Sequence, residues 1–157
     1  MAVVLCVDDA PAMLRTLAAN LRARGFEVDL AETGEQAIEL ATARRPDAVI
    51  LDLEDAVAQP EKEASRAMVV AALAQPRRCL AYVRVNALST TWSYGDIEAV
   101  VVPGLDGIIL PKVESAADLQ TAEWMIASLE RARGLKPGGI DLMPIIETAK
   151  GYVALAS

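Results

Sequence analysis

The side chains able to do chemistry in this sequence are carboxylates with a few cations, and most stand at the ends of short apolar runs. Asp8 and Asp9 follow the run at 3–7, and Asp52, Glu54 and Asp55 close the run at 48–53. Arg84 and Asn86 end the run at 80–85, Lys112 and Glu114 follow the run at 107–110, and Glu147 with Thr148 follow the run at 141–146. None of the 157 residues is histidine. That excludes a Ser-His-Asp triad, a Cys-His nucleophile pair, a histidine-ligated zinc site and a histidine general base. Two like charges about 4 Å apart repel by about 4 kcal/mol at an effective dielectric of 20. Three or more gathered carboxylates therefore call for a divalent cation, and an all-oxygen donor set suits Mg²⁺ better than zinc. Each acidic residue taken singly has a second reading, as the cap of the helix that follows it.

The elements that must position these groups alternate along the chain. The apolar runs 3–7, 27–31, 48–53, 80–85, 107–110 and 141–146 are mostly β-branched and nearly continuous, the pattern of strands covered on both faces. Between them apolar residues recur at helical spacing: Leu14, Leu17 and Leu21; Ile38 and Ala41; Leu119, Ala122, Ile126 and Leu129. Thr33 with Gln36 has capping-box spacing, Ser115 is placed to cap the helix carrying Leu119, and Gly25 and Gly134 fall where helices end. Strand–helix alternation predicts a parallel sheet with helices on its faces and its functional groups at the carboxyl ends of the strands. Six strands do not close the usual eight-stranded barrel, so the expected fold class is α/β, an open doubly wound parallel sheet. Pro111 and Pro144 then belong at strand ends or on an edge strand. No linker or repeat divides residues 1–157, which predicts a single domain.

Composition narrows the partners. Twenty-two acidic against 15 basic residues give a net charge of −7, which argues against a nucleic-acid partner. No apolar run approaches the length of a membrane span, the N-terminus lacks a basic leader region, and Cys6 and Cys79 have no CxxC spacing, so a cytoplasmic protein with two free thiols and no membrane partner is expected. Trp92, Tyr94 and Trp124 read as packing residues rather than a stacking platform, Arg44–Arg45 and Arg77–Arg78 as helix or loop ends, and GLKPGG as a loop. An open sheet leaves an edge strand exposed, which predicts a homodimer through that edge.

Two resemblances add to this. Residues 1–53, through VLCVDDAPAMLRTLAANLRARGFEV and AETGEQAIELATARRPDAVILDL, resemble the receiver domain of response regulators. That resemblance implies a flavodoxin-like strand order 2-1-3-4-5 with a sixth strand beside the fifth, Mg²⁺ at Asp8 and Asp9, and Asp52 as phosphoacceptor with Lys112 beside it. Asn86 stands where a receiver has a Ser or Thr, so coupled signalling is not implied. From about Asp47 onward, DAVILDLEDAVAQPEKEASR, YVRVNALSTTW, GLDGIILPKVES and LMPIIETAKG resemble the citrate lyase β-subunit and malyl-coenzyme A lyase family. That family is a barrel that cleaves or forms carbon–carbon bonds of acyl-coenzyme A thioesters using Mg²⁺. By this resemblance Arg84 holds a substrate carboxylate or carbonyl, Glu147 ligates the metal, and Glu54 and Asp55 support its waters.

Both segments share DAVILDL. The expectation is therefore an engineered chimera, a receiver-like segment 1–53 fused to a lyase-like segment 54–157. VLCVDDAP replaces the Phe-Val-Pro-Gly motif of the lyase family's first strand, and the chain stops before the strand carrying its Gly-Ala-Glu-Asp motif. The main expectation is a scaffold without native catalysis and without coenzyme A binding, retaining an acidic Mg²⁺ site built from Asp8, Asp9, Asp52, Glu54, Asp55 and Glu147. The alternatives are a receiver phosphoacceptor using Asp52 and Lys112, and an Mg²⁺-dependent acyl-coenzyme A lyase using Arg84 and Glu147.

Overall fold

The computed structural model describes residues 3–7, 11–44 and 46–155. Contacts divide the chain into two compact units, Met1–Val49 with Arg77–Cys79, and Ile50–Pro76 with Leu80–Ser157.

In the first unit β1 (Val3–Val7), α1 (Pro11–Arg22), β2 (Glu27–Ala31) and α2 (Gly34–Arg44) alternate as the apolar pattern predicts. The strands run parallel, with Val3 opposite Glu27 and Cys6 opposite Leu30. Cys6, Leu14, Ala18 and Val28 form the core, with Val4, Leu21 and Leu30 packed against it. Gly25 stops α1 at φ +86, a left-handed conformation, and the amide of Phe26 reaches back to the Leu21 carbonyl. At the start of α2 the Gln36 amide donates to Thr33 Oγ1 at 3.3 Å, while Gln36 Oε1 accepts from the Glu32 amide at 2.8 Å. The expected capping pair is thus present with its return bond shifted one residue upstream.

The second unit is built on four parallel strands in the order β3-β4-β5-β6: β3 (Ala48–Asp52), β4 (Leu80–Arg84), β5 (Gly107–Leu110) and β6 (Asp141–Pro144). A short 3-10 turn at Gln59–Glu61 and α3 (Lys62–Leu73) follow β3. Next come α4 (Ser93–Val100) after β4, α5 (Ala116–Ala132) after β5, and α6 (Ala149–Ala154) after β6. Every residue of β5 is buried, as a strand covered on both faces must be. Val83, Val85, Ile97, Val100, Ile108, Leu110, Ala122 and Ile126 supply its core. Ser115 caps α5 in a full capping box with Asp118. Pro144 ends β6, and Pro111 lies just beyond β5, the strand-end positions that a missing donor permits.

The α/β class with parallel strands is as expected. The flavodoxin-like order is not confirmed: among the described residues strand pairing gives two sheets, β1-β2 and β3-β4-β5-β6. Sequence pattern fixes which segments are strands, but lateral neighbours depend on tertiary contacts that no apolar run encodes. Among the described residues no helix is long and apolar enough to cross a membrane, and Cys6 and Cys79 are both free.

Candidate functional site

The carboxyl ends of β3, β4 and β5 bring five charged groups together. Arg84 closes β4 and grips Asp52 at the end of β3 with two prongs, Nε to Oδ1 at 2.9 Å and Nη2 to Oδ2 at 2.5 Å. The same carboxylate accepts from the amides of Glu54 and Ala56 at 2.8 and 3.3 Å. Burial pushes the Asp52 carboxyl up, but the bonds from Arg84 and from those amides outweigh it and hold the group below the usual carboxylate value. The bond to Asp52 in turn raises Arg84 above its usual value against the effect of burial.

Glu54 turns inward where Asp52 is already taken. Its side chain is 5% exposed, with Lys112 Nζ 2.6 Å from Oε1 and Arg84 Nη1 3.3 Å from the other oxygen. That second oxygen, Oε2, is buried and has no hydrogen-bond partner in the structure, although a buried carboxylate oxygen normally accepts at least one. Lys112 also lies 3.7 Å from Asp55, whose side chain is exposed. The Glu54 bond comes first among the causes that raise Lys112 above its ordinary value.

Lys112 is itself unusual, since its φ of +53 places a branched-at-nothing but bulky residue in the left-handed region, which L residues other than Asn and Asp seldom occupy. In that conformation its amide donates to Glu147 Oε1 at 3.1 Å while its ammonium reaches Glu54. Lys112, two residues past β5, thereby connects carboxylates following β3 and β6. Nearby, Lys150 bonds Glu114 at 2.9 Å, which with the Thr148 bond draws Glu114 below its usual value.

A cleft of about 440 Å³ opens beside this cluster, lined by Glu54, Asp55, Lys62, Asn86, Trp92 and Lys112 among others. Lys62 and Asn86 carry no catalytic expectation as a pair in the sequence, and Asp96 and Arg66 carry none at all, yet all four join one network that runs inward from the cleft wall. Nothing in PEKEASR distinguishes Lys62 or Arg66 from the solvated face of a helix. Their burial is a tertiary outcome.

The expected site residues therefore divide. Asp52, Glu54, Asp55, Arg84 and Lys112 come together, and Glu147 joins them through the Lys112 amide. Asp8 and Asp9 lie outside the described residues. Lys112 reaches Glu54, not Asp52, because Arg84 holds both oxygens of Asp52. Among the described residues no group of three or more acidic or thiol side chains is arranged to hold a metal. Arg84 and Lys112 already offset much of the negative charge, so repulsion between carboxylates no longer demands a cation. What still fits one is the chemistry of the donors, all hard oxygens, and a buried Oε2 of Glu54 that accepts no hydrogen bond and meets only Arg84 Nη1. Of the aromatics, Trp92 packs beneath Arg66, whose guanidinium carbon lies 5.6 Å from the ring centroid, while Tyr94 and Trp124 are exposed.

Carboxylates and a clamped arginine thus stand at the carboxyl ends of parallel strands, where α/β proteins carry their sites. Residues 28–156 match the model of HpcH/HpaI aldolase/citrate lyase, and the chain belongs to that family. The chain is 44% identical over 107 residues to the citrate lyase subunit beta of Escherichia coli strain K12, covering 67% of this chain and 35% of that protein. It is 36% identical over 124 residues to a (3S)-malyl-CoA thioesterase of Cereibacter sphaeroides, covering 78% of this chain and 40% of that one. It thus spans between a third and two fifths of the length of these curated relatives. Among solved structures, protein CitE from Mycobacterium tuberculosis in complex with magnesium and acetate is 28% identical with a TM-score of 0.52, over 99% of this chain and 48% of that one. The lead(II) complex of Haloferax volcanii malate synthase shares the fold, with 19% identity and a TM-score of 0.63 over 71% of this chain and 35% of that one.

These matches correct the expected fusion. The family match begins at Val28, well inside the segment read as receiver-like, and runs unbroken across the junction placed between residues 53 and 54. The likeness to CitE spans nearly the whole chain. An engineered receiver–lyase chimera therefore has no support.

Proposed function

We propose that this chain carries part of the site of an Mg²⁺-dependent acyl-coenzyme A lyase, the reading given above as the lyase alternative, or of a thioesterase acting on the same class of thioesters, as a relative's name suggests. The observation that carries it is the Arg84–Asp52 clamp standing beside the buried carboxylate of Glu54. Family membership and the magnesium complexes of CitE support it. A guanidinium has five N–H donors, and Asp52 fixes two of them. The fork is pre-aimed, and Nη1, now 3.3 Å from Glu54 Oε2, carries donors that a substrate carboxylate or carbonyl could take. Glu54, Asp55 and Glu147 would hold the divalent cation or its waters, and such a cation would polarise a substrate oxygen as a Lewis acid. Lys112 orients Glu54 with its ammonium and Glu147 with its amide.

The test is thiol release from (3S)-malyl-coenzyme A by the intact chain, with and without Mg²⁺. Release that needs Mg²⁺ and falls roughly 10- to 100-fold in R84K, the size of effect lost with a charged hydrogen bond, is the expected result. No release at high protein concentration, together with no Mg²⁺ binding by calorimetry, would overturn the reading.

A further inference from the structure

Lys62 is a buried cation for which the chemistry described so far has no use. It opens α3, is 5% exposed, and its ammonium has three hydrogens for three acceptors. These are the Leu53 carbonyl at 2.7 Å, the Glu54 carbonyl at 2.5 Å and Asn86 Oδ1 at 2.8 Å. Burying an ammonium costs several kcal/mol unless its hydrogens are fully met, and an apolar residue would fill the space without that cost. A lysine here has the one property a leucine lacks. It pins the backbone of the turn that carries Asp52, Glu54 and Asp55.

The pin is itself held. Asn86, just past β4, donates from Nδ2 to the same Leu53 carbonyl at 2.8 Å and to Asp96 Oδ2 at 2.6 Å. Asp96 on α4 is completely buried, and its other oxygen accepts from Arg66 Nε at 2.7 Å. Arg66 on α3 also donates to the Trp92 carbonyl at 3.0 Å and stacks on the Trp92 ring. From Trp92 to Glu54 the side chains form one continuous network behind the wall of the cleft, and such fully satisfied networks fix a single arrangement.

We propose that Lys62 is a positioning residue: its grip on the Leu53 and Glu54 carbonyls sets where the Glu54 and Asp55 carboxylates stand in the cleft, with Asn86, Asp96 and Arg66 holding it in register. The consequence for metal affinity rests on the reading that this cleft takes a divalent cation. The consequence for backbone order does not.

The intact chain and its variants K62M, K62Q and E130Q are compared by Mn²⁺ titration, followed by the paramagnetic resonance of free Mn²⁺, and by amide hydrogen exchange at residues 53–56. E130Q weakens a different part of the same unit and controls for lost stability. K62M is expected to weaken Mn²⁺ binding by about tenfold or more, the range seen when outer partners of metal ligands are removed, and to lose protection at residues 53–56. K62Q keeps a donor and is expected to recover part of both, which also preserves the test if K62M fails to fold. E130Q should leave both unchanged. Wild-type affinity and unaltered exchange in K62Q and K62M would overturn the proposal, as would an equal loss in E130Q. Absence of Mn²⁺ binding by the wild type would instead remove the metal-site reading, and exchange at 53–56 would still decide the role of Lys62.

Discussion

At the scale of single residues, Lys112 and Asp52 show how local cost is exchanged for placement. A left-handed L residue costs roughly 1–2 kcal/mol, and glycine adopts that conformation without the penalty. Replacing Lys112 by alanine removes the Glu54 contact and keeps the strained φ of +53, whereas replacement by glycine removes both. K112G is therefore expected to be more stable than K112A by about 1 kcal/mol in urea unfolding, and equal stabilities would show that the backbone there is not strained. Asp52 gives a pH dependence of definite sign. Its folded-state pKa is depressed relative to 3.8, so its stabilising contribution is present above that value and is lost as pH falls through the folded-state value. Between neutrality and acid, D52N should lose less stability than the wild type, measured as the difference in melting temperature across that range. An identical acid loss in both proteins would remove Asp52 from the account.

At the scale of elements, all six strands were legible from composition. The runs at 3–7, 27–31 and 107–110 coincide with β1, β2 and β5, and the others end within two residues of the observed strands. Apolar, β-branched segments between helix-period segments leave little choice. The site was legible only by its carboxyl-end positions. Which carboxylate meets which cation was not, because Arg84 and Lys112 compete for Asp52, Glu54 and Asp55 within a few ångströms, and backbone conformation decides the outcome. The left-handed Lys112 turns its ammonium toward Glu54, and no residue type announces that. Glu130 was equally hidden. In the sequence it closes a helical stretch like any surface glutamate, yet it is 1% exposed, and its carboxylate accepts from the amides of Gly138, Gly139 and Ile140 at 2.8, 2.9 and 3.0 Å. This latch fastens the segment between α5 and β6. Glu130→Ala leaves buried donors unpaired and is expected to destabilise by about 3 kcal/mol in urea unfolding, whereas a change within 0.5 kcal/mol, the size typical of surface substitutions, would mean that water replaces the latch.

At the scale of the whole molecule, the two compact units differ in how much sheet each contains. A two-stranded pair is marginal by itself and depends on the helices packed on it, while four strands with a covered centre hold together more firmly. Amides of Ile108 and Ile109 in β5 should consequently exchange with solvent more slowly than those of Cys6 in β1 or Val28 in β2, and equal protection would show that the units open together. The family match crosses both units, from Val28 to residue 156. Within the second unit, β5 has no outward side: from Gly107, where a methyl group would meet the Tyr82 ring at 2.2 Å, to Leu110, each position is enclosed. A saturation library would therefore read as five consecutive intolerant columns, Gly107 to Pro111, that end abruptly where Lys112 emerges into the cleft. Inheritance can explore new chemistry at that margin while the five positions before it remain nearly silent.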